Sequence, residues 1–327
     1  MILKALTPTK THIERITFMD EKNMQFANFN ITFGEQDAPM LEYFEEIIYP
    51  AFLSGYVRGN AIDGAKYSFD DIKIKEINDE LVMVGNYIKS TEYKIVTTIQ
   101  DGVLVSSPAE IPTAPYSRFV IFLKNHRMVL VRNETSSPDV RSFQKTVRDV
   151  LFAYIRTNNR ERDRRDKLPE AYVNIVDIPM KDSIEEVLWN VRKVNSLKLR
   201  FFPLNNDMPP QALAQAVLCS LGQVGSKTGN LVFNSPGSRD GVQNIIQESG
   251  GMAEVSLKVT DANGEKRSIK EGAFSSSVKI EHSGNLNPNS DIYLVEQAKV
   301  NGSIFTVSEE NASLYERFVN RIRRLVG

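Results

Sequence analysis

Cysteine is nearly absent from this chain of 327 residues: Cys219 stands alone, so neither an internal disulfide framework nor a multi-cysteine zinc site can form. Histidine is almost as scarce, and His12, His126 and His282 are scattered without metal-ligand spacing. No metal centre and no cofactor are expected. Cys219 lies in ALAQAVLCSL, where a small thiol on the buried side of a helix is expected rather than a nucleophile. No run reaches the roughly 18 apolar residues that span a bilayer, and MILKALTPTKTHIERITF lacks a long apolar core ahead of a cleavage-like site. These absences predict a cytoplasmic protein with no membrane partner. No internal repeat is found either.

What is present is ordinary for a folded chain: 41% hydrophobic and 25% charged residues, which exclude wholesale disorder and fibrous repeats. The length exceeds that of one compact domain, so two are expected. The formal net charge of −1 hides an uneven distribution. Residues 1–135 carry 14 Lys and Arg against 18 Asp and Glu, residues 136–168 carry nine against five, and the remainder 17 against 18. Positive charge is therefore concentrated in one short segment.

The pattern predicts an α+β chain in three parts: a β-rich domain with one helix (1–135), a basic connecting helix (136–168) and an α/β layered domain (169–327). MQFANFNITF (24–33) alternates in the manner of a strand, and KYSFDDIKIKEI, EYKIVTTI and DGVLVS follow suit. Met40, Leu41, Phe44, Ile47, Ile48 and Phe52 recur at helical spacing, with Gly55 as the stop. SSPAEIPTAPYS (106–117) reads as a proline-bearing loop, and Asn125-His126 as a hairpin turn between FVIFLK and RMVLVR. Beyond 170, strands (171–178, 197–202, 230–234, 252–260) alternate with helices (183–193, 209–221, 238–249), and 309–326 closes the chain as a helix.

Ser136-Ser137-Pro138-Asp139 predicts a helix start, with a serine cap and proline in the first helical position. Phe143, Val147, Val150, Leu151 and Tyr154 form its apolar stripe, with Arg141, Lys145, Arg148 and Arg156 opposite. The helix is expected to run through RTNNRERDRRDK to the residue before Leu168-Pro169. Arginine forks bind phosphate bidentately, and a positive stripe attracts nucleic acid by counterion release. The candidate nucleic-acid-binding residues are Arg141, Lys145, Arg148, Phe152, Arg156, Arg160, Arg162, Arg164, Arg165 and Lys167, with Phe152 able to stack on an unpaired base if it is exposed. A solvated interdomain helix whose charges pair locally would leave the same pattern.

Two other motifs invite chemistry. GQVGSKTGN (222–230) resembles a phosphate-binding loop, but Ser226 precedes Lys227 where that loop wants glycine, and Leu221 stands where it wants the earlier one. Its order, helix to strand, is also reversed, so Gly222 is expected at a helix C-terminus and Lys227 in a polar loop. Asp70, Asp71 and Lys73, and separately Glu254 and Lys258, could belong to a magnesium-dependent nuclease, or could be solvated strand charges.

AYVNIVDIPMKDSIEEVLWNVRKVNSLKLRFFPLNND (171–207), with the polar loop and helix after it, resembles uncharacterised bacterial and phage-borne proteins, some of which lie near antiviral defence genes. The resemblance covers the C-terminal half and supplies no catalytic residue. The expected function is that of a nonenzymatic binding protein, a defence component engaging DNA, RNA or an acidic partner through the basic helix. A magnesium-dependent nuclease and a structural subunit of a protein complex or homo-oligomer are the alternatives.

Overall fold

A computed structural model describes residues 20–62, 64–204, 212–275, 277–300, 307 and 309–327. Strands β1 (Asp20–Phe33) and β2 (Ala38–Pro39) lead into a helical stretch that passes from a 3-10 turn (Met40–Tyr43) through a π segment (Phe44–Ile48) to α1 (Tyr49–Leu53). Then come β3 (Arg58–Gly59), β4 (Lys66–Ile77), β5 (Glu80–Gln100), β6 (Val103–Thr113), β7 (Tyr116–Phe122), β8 (Arg127–Arg132) and α2 (Val140–Asn158). The second half runs β9 (Ala171–Asp177), α3 (Lys181–Trp189), β10 (Val191–Phe201), α4 (Ala212–Gln223), β11 (Gly229–Asn234), α5 (Arg239–Glu248), β12 (Ala253–Asp261) and β13 (Lys266–Lys270). It closes with β14 (Ser277–His282), α6 (Asp291–Val300) and α7 (Glu309–Arg323).

The mixed α+β character expected from the pattern is what the fold shows, with a large antiparallel sheet at its centre. That sheet is ordered β14-β1-β8-β7-β5-β4-β3, and β2, β6 and β9 pair off this path. β1 is long enough to serve three long partners: Asp20–Gln25 pairs with β14, Met24–Asn28 with β8 and Ala27–Phe33 with β9. Its alternation separates two cores. Ala27, Phe29, Ile31 and Phe33 join the helical stretch, α2 and α7, while Met24 and Phe26 join α6. Asn28 and Asn30, polar and buried, donate to Gly250 O (3.1 Å) and Pro203 O (2.6 Å), so the polar positions of β1 are the docking points of the smaller unit.

The expected division at 168/169 does not follow the sheets. β9, β14, α6 and α7 return to the first sheet, and the intervening stretch builds a second sheet, ordered β11-β10-β12-β13, around a core of its own. Every pairing in that second sheet is antiparallel, which corrects the α/β layering read from strand and helix alternation. Alternation along the chain records the order of elements, whereas β1 recruits its partners by free edge and register.

The proline-bearing loop expected at 106–117 is instead mostly strand. β6 is an edge strand, Pro112 sits opposite Glu92, and Pro108 falls within the register shift between the pairs Ile95–Ala109 and Thr97–Ser106, the two settings in which a strand tolerates a missing N–H. Beyond Ser90, β5 pairs only with β6 among the described residues, which makes the two an arm. Tyr93 faces Ile111 across it and Ile99 faces Leu104, all four exposed.

α2 lies across the large sheet. Phe143 is in its core, with ring centroids 5.2 Å from Phe119 and 5.3 Å from both Phe69 and Tyr87. Val147, Val150, Leu151 and Ile155 are buried beside it. The cap is Asp139 rather than a serine: its carboxylate accepts from Ser142 N at 2.9 Å, while Ser137 Oγ is spent donating to Tyr116 O at 2.6 Å. The helix ends at Asn158, well short of the expected limit. Asn159 then clamps the backbone of Leu168 in both directions, donating to its carbonyl at 2.9 Å and accepting from its N–H at 2.7 Å. Burial of Leu168 draws the chain back, and 160–167 becomes a loop.

Candidate functional site

Between α2 and the second sheet lies a groove of about 1390 Å³. Period-3.6 spacing places Arg141, Lys145, Arg148, Phe152 and Arg156 in one exposed stripe on the side of α2 away from its core, and all five line the groove. The floor is β9, with Tyr172, Asn174 and Asp177. The far wall comes from period-2 alternation: Leu197, Leu199, Val255, Leu257 and Ile269 are buried in the core of the smaller unit, while Lys198, Arg200, Glu254, Ser256, Ser268 and Lys270 turn to the groove. Register brings Arg200 opposite Glu254 and Ser256 opposite Lys198 and Lys270.

The groove is electropositive. Arg141, Lys145, Arg148, Arg156, Lys198, Arg200, Lys227 and Lys270 line it against Asp139, Asp149, Glu170, Asp177 and Glu254. Arg200 is paired with Glu254 at 3.1 Å, whereas Arg141, Lys145, Arg156, Lys198 and Lys270 enter no ion pair among the described residues. Burial, with the nearby Asp139 carboxylate, pushes Asp177 up to about 7 against a hydrogen bond from Ser275.

That shift carries a testable sign. The fold favours the protonated form of Asp177, so its contribution is full below the ordinary carboxylate range near 4 and is lost as pH rises toward about 7. Asp177→Asn should therefore melt close to the native protein at pH 4 but be more stable at pH 8, by on the order of 2–4 kcal/mol. An equal gap at both pH values would show that the carboxyl does not titrate in this way.

Of the ten residues expected to contact nucleic acid, the groove collects Arg141, Lys145, Arg148, Phe152 and Arg156. It does not collect Arg160, Arg162, Arg164, Arg165 or Lys167, because the helix that was to carry them ends before them. Arg162 is turned to Glu46 at 3.0 Å. Lys198, Arg200, Lys270, Asn174 and Asp177 were missed, and the signal for two of them was the charged alternation within LKLRF.

The resemblance of GQVGSKTGN to a phosphate loop is resolved by what Lys227 touches. Its ammonium donates to the Gly34 and Glu35 carbonyls and to Asp37 Oδ1 (2.6 Å), and lies 5.5 Å from the centroid of the Tyr172 ring. The loop connects α4 to β11, and Gly225, at φ +66°, makes the turn expected of Gly222. Lys227 is a latch between the smaller unit and the β1–β2 turn. Lys227→Ala should cost about 1 kcal/mol or less and leave any ATP affinity unchanged, as thermal melts and equilibrium dialysis would show. Loss of tight ATP binding would revive the phosphate loop.

The carboxylates of the nuclease alternative are not brought together. Asp70 and Asp71 belong to β4 of the large sheet and Glu254 to β12 of the small one. Burial alone would raise the Asp71 carboxyl, but hydrogen bonds and attraction from Lys73 and Arg118 outweigh it and hold the group below its ordinary value. His126 lies in the β7–β8 turn and His282 at the end of β14, bonded to Ser290 Oγ at 2.9 Å, while His12 lies outside the described residues. Cys219 is exposed on α4, which turns Ala214 rather than the thiol into its core. Among the described residues no helix is long and apolar enough to cross a membrane.

No match was found. Family models, curated proteins and solved structures all returned nothing similar to this chain.

Proposed function

We propose that the chain is a nonenzymatic nucleic-acid-binding protein and that the groove between α2 and the second sheet is its binding site. One observation carries the reading: two walls built on different periodicities, from segments far apart in sequence, turn their cationic side chains into the same space. A solvated helix needs no second basic wall. The volume exceeds the about 300–1,000 Å³ of small-molecule pockets, which suits a chain of linked phosphates better than a single small ligand. Polyanion binding at such a site is driven by counterion release.

The test is binding of a labelled 12-nucleotide oligonucleotide across a salt series. Affinity should fall linearly on a log-log plot, with a slope of about −0.7 for each phosphate contacted on a single strand and about −0.9 on a duplex. Absence of binding to both DNA and RNA at low salt would remove the proposal.

The resemblance noted within 171–207 supports antiviral defence as the setting and assigns no residue. One observation favours a second reading, attachment to another protein: the β5–β6 arm exposes apolar residues beside Glu92, Asp101 and Glu110, which do not suit phosphate.

A further inference from the structure

We infer that the groove holds a single strand, with an unpaired base stacked on Phe152; the inference rests on the groove being the nucleic-acid site. Phe152 is 60% exposed on a helix whose core is already filled by Phe143, Val147, Val150, Leu151 and Ile155. It contributes no buried side chain to any of the three hydrophobic cores, and its ring opens into the groove. Its neighbours on the stripe decide what that ring serves. Arg148 and Arg156 stand four residues before and after it, about 6 Å along the axis in each direction, which makes a line of cation, ring and cation.

That order matches an unstacked strand, in which phosphates alternate with bases whose faces are open. A duplex would use the cations and leave the ring without a counterpart, because its base faces are already covered. Stacking on an aromatic ring is sequence-tolerant, since every base has a π-face. The rest of the groove agrees: Asn174 on the floor and Ser256 and Ser268 on the far wall offer hydrogen-bond donors and acceptors, which the uncovered edges of an unpaired base can meet.

The chain has one tryptophan, Trp189, exposed on α3, so the ring can be replaced by a reporter. In a Trp189→Phe, Phe152→Trp protein, a 12-nucleotide single strand should quench the fluorescence, and a hairpin duplex of equal phosphate number should not. In the native protein the single strand should bind about 10-fold more tightly than the hairpin at equal salt. Phe152→Ala should weaken single-strand binding roughly 5- to 100-fold with the salt slope unchanged, because stacking releases no counterions.

Phe152→Leu keeps apolar bulk without a π-face and should show most of the same loss. Equal affinity for hairpin and single strand, absent quenching, or full binding by Phe152→Leu would overturn the inference while leaving the groove as a phosphate site. Binding of neither polymer at low salt would overturn both. A Phe152→Ala protein that binds normally but loses self-association or a co-purifying subunit would assign the ring to a protein contact and overturn the inference.

Discussion

Reversing the α2 stripe, with Arg141, Lys145, Arg148 and Arg156 all changed to glutamate, is expected to abolish nucleic-acid binding. Four phosphate contacts would become four repulsions, so affinity at low salt should drop by roughly three orders of magnitude or more, and the log-log salt slope should shrink by about 3 for a single strand. The fold should survive, because these side chains are exposed and exposed substitutions away from special features usually cost less than about 0.5 kcal/mol. The control is the same number of reversals at Arg160, Arg162, Arg164 and Arg165. These arginines follow α2 in the loop clamped by Asn159 and Leu168 and do not line the groove, so affinity should change only a few-fold. If the loop reversals abolish binding and the stripe reversals do not, the groove is not the site.

Asp291→Ala is expected to damage stability more than any surface change. Arg118 on β7 is fully buried, donating through Nε and Nη2 to Asp291 on α6 at 2.6 and 2.9 Å. Its Nη1 donates to Asp71 at 3.0 Å and to the Asn86 side chain at 2.8 Å, and Lys75 reaches Asp291 at 2.6 Å. Removing Asp291 strands a buried guanidinium on Asp71 and Asn86, which should cost about 3–5 kcal/mol. On the scale of a domain of about 150–250 residues that is a fall in melting temperature of roughly 6–20 °C. The double variant Arg118→Ala, Asp291→Ala should cost clearly less than the sum of the single variants, because no fully buried charge is then left without its partner, and Lys75 reaches solvent. Strict additivity would mean that the pair does not tie α6 to the sheet.

Local patterns were legible where one periodicity governed burial. The stripe of α2 and the closing helix can be read directly, because each buries one face against one neighbour, and the alternation of MQFANFNITF can be read because it sends successive residues to two different cores. The groove was half legible for the same reason: the α2 wall followed from helical spacing, down to Phe152. Its other wall did not, since nothing local in LKLRF or KRSIK shows that the smaller unit docks through Asn28 and Asn30 onto β1. Long-range register also hid the return of β9 and β14 to the first sheet. The run RERDRRDK misled because charge density alone suggested helix, whereas the Asn158-Asn159 pair and the burial of Leu168 end it.

Lysine footprinting tests the central claim most directly, because it reads the groove residue by residue in the unaltered protein. Acetylation would be followed by mass spectrometry with and without a saturating 12-nucleotide single strand at low salt. Lys145, Lys198 and Lys270, exposed on the two facing walls, should be shielded together, while Lys66, Lys94 and Lys279, exposed elsewhere, keep reacting. Shielding of Lys167 and Lys94 with both groove walls still reactive would contradict the account.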